Sequence, residues 1–165
     1  MKYQNAQILE EIKTMRGIKG FLLRLALKEN KIKKQQQDLF DKMVNSKEDT
    51  VRYKGKKMPA KWFREHFKYS SEEVLKLLSN LKCPTLAITG DKDVQASSED
   101  LKRLEKLEKD NIKCVVIENM DHMLKEFTGE KTVLNLMKQY KEEILKPMHP
   151  ELSKVLEQWL ESFKK

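Results

Sequence analysis

Residues 84–95 read Pro84-Thr85-Leu86-Ala87-Ile88-Thr89-Gly90-Asp91-Lys92-Asp93-Val94-Gln95, and this stretch decides the fold class. Thr85 to Thr89 is a short, almost continuous apolar run of β-favouring residues, closed by a glycine. A strand covered on both faces of a parallel sheet has this texture, because neither face is left to polar side chains. Ser97-Ser98-Glu99-Asp100 then offers capping residues ahead of Leu101, Leu104 and Leu107, which recur at helical spacing. Asn111 ends that helix, and Ile112-Lys113-Cys114-Val115-Val116-Ile117 is a second run of the same kind. Strand, helix and strand within about 33 residues form one βαβ unit, so the two strands are expected to be parallel neighbours.

Downstream, the pattern predicts a helix over 132–145 and a linker bracketed by Pro147 and Pro150. The last helix has the cleanest period in the chain: Leu152, Val155, Leu156, Trp159, Leu160 and Phe163. Upstream, the chain reads as helices. Ile8, Ile12, Met15 and Ile18 or Leu22 recur at helical spacing, as do Leu39, Phe40, Met43 and Val44, with a break near Gly17 and Gly20 and a stop at Asn30. Residues 46–60 have no period and read as an exposed loop. Trp62, Phe63, Phe67 and Tyr69 then cluster, and Ser70 with Glu73 three residues later is a capping-box pattern before the stripe Val74, Leu75, Leu77, Leu78 and Leu81. The texture changes at Cys83, which divides the chain into a helical segment, 1–82, and a strand-bearing segment, 83–165.

Composition narrows the classes. The 165 residues include only 5 glycines, where average usage of about 7% gives roughly 12. So few glycines argue against phosphate-cradling loops and for a helix-rich chain. The longest apolar stretch, Gly20 to Leu27, is broken by Arg24 and falls far short of the roughly 20 residues of a membrane-spanning helix. The start, MKYQNAQILEE, lacks the basic flank, apolar centre and cleavage site of a signal peptide, so a cytoplasmic location is expected. Cys83 and Cys114 match no metal or redox spacing and read as two buried thiols in a reducing compartment. The net charge of +8 is uneven: residues 1–82 hold 20 Lys/Arg against 10 Asp/Glu, and residues 83–165 hold 14 against 16. A basic half raises a nucleic-acid partner, but acids are interleaved almost throughout, which favours solvated helix faces.

In open parallel sheets, functional groups gather on loops beyond the carboxyl ends of the strands. Here those loops are Gly90 to Gln95 and Glu118 to Met123. An acid on the first and a histidine on the second would form a carboxylate–imidazole pair, the orienting and proton-carrying half of nucleophilic catalysis. The first loop offers two acids, Asp93 and Asp91, and the second one histidine, His122; only the resemblance described below prefers Asp93 and makes Asp91 the fallback. Asp121 stands beside His122, but adjacent side chains usually point apart. His66 reads as packing or surface and His149 as a linker residue; no ligand spacing exists, so no metal and no cofactor are expected.

Residues 84–95 resemble the penultimate strand and acid loop of α/β-hydrolases, Asn119-Met120-Asp121-His122 their histidine loop, and His149-Pro150 to Trp159-Leu160 their closing helix. Trp62-Phe63-Arg64 resembles a segment of bacterial esterase and dipeptidyl-aminopeptidase-like members of that family. The resemblance covers most of 58–165; residues 1–57 match only loosely, as helices of an inserted cap. It implies an α/β fold made of a helical cap segment, a βαβ unit with two parallel strands and closing helices. It also implies Asp93 and His122 as the acid and base of a serine hydrolase acting on a small ester or peptide substrate. Gly-x-Ser-x-Gly is absent, although the strained nucleophile turn needs it, and neither Ser97 nor Ser98 sits in such a turn. The resemblance therefore implies the C-terminal portion of a larger enzyme, inactive alone. Such a portion leaves a strand edge exposed, and self-association through that edge is expected, unless basic helices fold over it. The rival classes are a non-catalytic interaction module derived from a hydrolase and a basic helical nucleic-acid binder, the latter without a known binding motif.

Overall fold

The two apolar runs form the two strands of one parallel sheet. In the computed structural model, which describes residues 2–26 and 29–164, the elements run α1 (Lys2–Thr14), α2 (Gly17–Ala26), α3 (Glu29–Val44), β1 (Val51–Tyr53), β2 (Lys56–Met58), α4 (Ala60–His66), α5 (Ser71–Ser79), β3 (Thr85–Gly90), α6 (Ser98–Glu105), β4 (Ile112–Ile117), α7 (Leu136–Glu143) and α8 (Pro150–Glu161). The chain is a mixed α/β protein with two small two-stranded sheets. It forms two compact units: residues 15–77, and residues 1–14 together with 78–165. The composition shift at residue 82 lies five residues past the second boundary, and α1 belongs with the strand-bearing unit.

Within residues 15–77, Met43 of α3 and Ala60 and Phe63 of α4 form a buried cluster, flanked by Leu39, Val51 and Met58. The segment read as a loop contains a hairpin. Val51 pairs with Met58 and Tyr53 with Lys56. Lys54 and Gly55 make the turn with φ of 49° and 79°, the left-handed pair that a two-residue hairpin loop requires. Its strands are three residues each and mostly polar, so no alternation marks them. Asn30 does not stop a helix: it lies in the first turn of α3, and Leu27, the end of the longest apolar stretch, lies outside the described residues. Ser70 and Glu73 form the expected capping box, with the Ser70 amide donating to Glu73 Oε2 at 2.7 Å and the Glu73 amide to Ser70 Oγ at 3.2 Å. The bond from the Ser70 amide, and after it the Ser70 hydroxyl, holds the Glu73 carboxyl below the usual range.

In the strand-bearing unit, β3 and β4 pair in parallel from Thr85↔Ile112 to Gly90↔Ile117. Ile88, Val115 and Ile117 share one face and pack with Met120 and with Leu152 and Leu156 of α8. Burial is less complete than the apolar runs suggest. Most positions are half-buried, and Val116 is 44% exposed, because a two-stranded sheet has no third strand to flank either side. Cys83 is exposed rather than buried, and Cys114 is half-buried; both are free thiols. Burial pushes the Cys114 thiol up, helped by the charge of Glu105.

Ser97 caps α6, its hydroxyl accepting from the Glu99 amide at 3.3 Å. Ser97→Ala is expected to lower stability by about 1 kcal/mol, read as a lower urea midpoint at unchanged slope; an unchanged midpoint would show that the cap contributes nothing. The helix expected over 132–145 is shorter, Leu136–Glu143. Glu11 of α1 explains the loss: its carboxylate accepts from the Val133 amide at 2.6 Å, the Thr132 hydroxyl at 2.7 Å and the Leu134 amide at 3.3 Å. This carboxylate from 121–123 residues away holds those residues in a turn.

Candidate active site

Gly90 ends β3, and the chain then turns through Asp91 and Asp93 while the loop after β4 passes alongside. Backbone bonds lace the two together. The Asp91 amide donates to the Ile117 carbonyl and the Lys92 amide to the Met120 carbonyl, each at 3.1 Å. Asp91, read from sequence as a fallback acid facing water, is half-buried and structural, its Oδ1 accepting from the Asn119 amide at 2.7 Å. Asn119 itself has a φ of 55°, a backbone conformation that asparagine tolerates better than most residues. The carboxylate bond and the tight turn together aim the following residues back toward the first loop.

Asp93 and His122 meet there. Asp93 Oδ2 lies 2.9 Å from His122 Nδ1. Asp93 Oδ1 accepts from the Gln95 amide at 2.7 Å and the Ala96 amide at 2.9 Å. The Asp93 side chain is only 7% exposed, while that of His122 is 44% exposed. An ionised carboxylate only accepts hydrogen bonds, so Nδ1 carries the proton and Nε2 is left with a lone pair. The arrangement presents one basic nitrogen outward on a ring whose orientation and tautomer are set from behind.

No family model, curated protein or solved structure matches this chain.

The other residues singled out from sequence fall elsewhere. Asp121 does point away from His122: it turns into the interior and is 1% exposed. His66 stacks on Trp62 with ring centroids 3.7 Å apart, and its Nδ1 donates to the Trp62 carbonyl at 3.0 Å. His149, read as a linker residue, is instead a buried helix cap, its Nδ1 accepting from the Glu151 amide at 3.2 Å. Pro150 follows at the first helical position, where its missing N–H costs nothing. Phe63 is core and Trp62 is half exposed.

Sequence reasoning missed the polar face of α7. Gln139 donates through Nε2 to Asp121 Oδ2 and to Glu143 Oε2, each at 3.2 Å. Tyr140 Oη accepts from Gln95 Nε2 at 3.1 Å, beside the acid loop. Burial pushes the Tyr140 hydroxyl up, and the charges of Asp121, Asp93 and Glu143 add to that, so the phenol stays neutral. The available signal was Gln139 and Glu143 four apart, a spacing that puts both on one face of a helix. A cavity of about 630 Å³ adjoins this face, lined among others by Phe127, Lys138, Gln139, Glu143 and Lys146. Neither Asp93 nor His122 lines it, so it lies apart from the carboxylate–imidazole pair.

Among the described residues no group of three or more His, Cys, Asp or Glu is arranged to hold a metal ion, and no helix is long and apolar enough to cross a membrane.

Proposed function

We propose that residues 83–165 carry the acid and the base of an α/β-hydrolase-type acyl-transfer site, acting on an ester or amide bond. One observation carries this reading. Asp93 is buried and fixed by two backbone amides, and its remaining oxygen holds Nδ1 of an imidazole whose other nitrogen faces outward. In the reaction, Nε2 of His122 takes the proton of an attacking serine, and the imidazolium that forms is stabilised by Asp93. The proton then passes to the leaving group, and water repeats the cycle on the acyl intermediate. The serine and the oxyanion donors come from another segment, since Ser97 spends its hydroxyl on the α6 cap and no Gly-x-Ser-x-Gly occurs in these residues.

The 165-residue chain is expected to leave a fluorophosphonate unattached and to hydrolyse an activated ester no faster than free imidazole. Joined in frame to the coding sequence upstream of Met1, it should take the label at a serine, and His122→Ala should abolish labelling. Labelling of the chain by itself, or an upstream sequence without a nucleophile turn, would sink the proposal.

The sheet favours a second reading, a self-associating module. β3 and β4 pair only with each other among the described strands, so each has an outer edge with no ladder. Parallel sheets normally have both faces covered and strands on both sides. A second copy can occupy such an edge as readily as a further strand of the same protein. Light scattering across a concentration series should show a dimer that dissociates on dilution, and a strict monomer at every concentration would remove this reading.

A further inference from the structure

We infer that Asp121, Gln139 and Glu143 form a proton-dependent latch that holds the His122 loop against α7 and so positions the imidazole. The inference deepens the acyl-transfer reading by taking His122 as the working group, but the latch itself is defined by geometry alone.

Asp121 grips the loop from inside. Its Oδ1 accepts from the Met123 amide at 2.9 Å and the Lys125 amide at 3.0 Å, while its own amide donates to the Lys125 carbonyl at 3.0 Å. These bonds close a tight turn around His122, with Leu124 at a φ of 61°. The far side of the turn is tied to α8, where the His149 amide donates to the Leu124 carbonyl at 2.8 Å. Asp121 Oδ2 reaches the other way, to Gln139 of α7. The loop is thus fastened to the helix through one carboxylate and one amide.

Glu143 is the weak member of this set. Asp121 and Glu143 are 1% and 2% exposed, and one Gln139 amide group serves both. Two carboxylates in so dry a site cannot both be ionised without strong repulsion. Counting donors decides which one keeps the proton. Asp121 has three, two of them backbone amides; Glu143 has Gln139 and, at 3.6 Å, the half-exposed Lys146 ammonium. Asp121 is therefore the better-held acceptor, and Glu143 the carboxyl that keeps the proton. Burial raises the Glu143 carboxyl most, the neighbouring Asp121 raises it further, and Gln139 and Lys146 oppose both.

The other ionisable groups facing Glu143 are accounted for. Tyr140 on the same helix stays neutral. Glu126 and Glu142 line the adjoining cavity and add negative charge, and Lys138 lies 3.8 Å from Glu142 rather than at Glu143. Lys125 gives its ammonium to the Lys146 carbonyl at 2.5 Å. Among the described residues Lys146 is the cation paired with Glu143, and its 3.6 Å separation is beyond hydrogen-bonding distance.

A carboxyl raised in the folded state favours the protonated fold. The latch is then complete below the ordinary glutamate range and is lost as pH rises through the elevated value. Ionised Glu143 repels Asp121, and the turn around His122 loosens.

Amide hydrogen exchange of the intact chain tests this directly, with protection factors for Met123 and Lys125 taken as a function of pH. Protection is expected to fall by about tenfold as Glu143 ionises, because the turn then opens locally more often. In Glu143→Gln, which keeps the donor and removes the titration, protection stays level. Asp121→Asn levels it equally, and serves if the first variant fails to fold. A level profile in the unaltered chain, or the same fall in a folded variant, would overturn the latch. Neither readout needs a serine or an ester, so failure of the acyl-transfer reading leaves this result standing.

Discussion

Gly90→Ala is expected to destabilise the strand-bearing unit by about 3 kcal/mol or more, lowering Tm by about 6–12 °C. The cause is not backbone freedom, since Gly90 is an ordinary strand residue. A Cβ placed there would stand 1.8 Å from the Met120 carbonyl oxygen and 2.4 Å from its carbon. Both are backbone atoms of a residue with no exposed surface. They cannot step aside without breaking the Lys92–Met120 bond at 3.1 Å and straining the Asp91–Asn119 bond at 2.7 Å. Those two bonds lace the acid loop to the histidine loop, so the substitution should also part Asp93 from His122. Gly129→Ala is the internal control. Its Cβ would meet the Phe127 ring at 2.5 Å, and the far end of a side chain can rotate away. Thermal unfolding of the two variants should separate them clearly; equal and small shifts would show that the loops are not packed this closely.

That close approach shows what local sequence could and could not convey. The strands were legible because consecutive apolar residues leave few alternatives to a sheet interior, and the acid and histidine were legible because strand ends aim their loops to one side. Neither pattern showed that Gly90 must be bare, which depends on a residue 30 positions away. The same limit applies to α7, whose first turn is lost to Glu11, at the opposite end of the chain. His149 was misread because a histidine before a proline looks like a linker until the helix behind it is placed. The polar hairpin at 51–58 escaped for another reason. Its strands are too short for a pattern to show. Val51 and Met58 alone reach the buried cluster, and a left-handed Lys54-Gly55 turn and the bond from the Tyr53 hydroxyl to the Gln35 carbonyl at 3.1 Å complete the hold.

The inward turn of Asp121 belongs to the same class. From sequence, Asp121 stands beside His122 and competes with Asp93 as its carboxylate partner. In three dimensions the backbone sends Asp121 into the interior and His122 toward solvent, and the roles of the two carboxylates separate. One carboxylate positions the loop and the other, Asp93, orients the ring. Two acids near one histidine are thus compatible with a single carboxylate–imidazole pair, because burial and hydrogen-bond direction distinguish them.

Asp93→Asn is the substitution that isolates the orienting role. An asparagine at this position has no free choice of orientation. The Gln95 and Ala96 amides both point at Oδ1, so the amide oxygen must stay there and the NH2 group must face His122. A donor now confronts Nδ1, and the ring can keep that contact only by moving its proton to Nε2. The fold should hold, because both backbone bonds survive. The outward nitrogen, however, changes from acceptor to donor and can no longer take a proton from a nucleophile. Nitrogen NMR of the imidazole should show the Nδ1–H form in the unaltered chain and the Nε2–H form in Asp93→Asn. In the serine-bearing extended protein, kcat should fall by about 10⁴, the scale set by a wrongly protonated ring in a serine triad. If the tautomer is the same in both proteins, Asp93 does not set the proton on His122, and the acyl-transfer reading loses its central support.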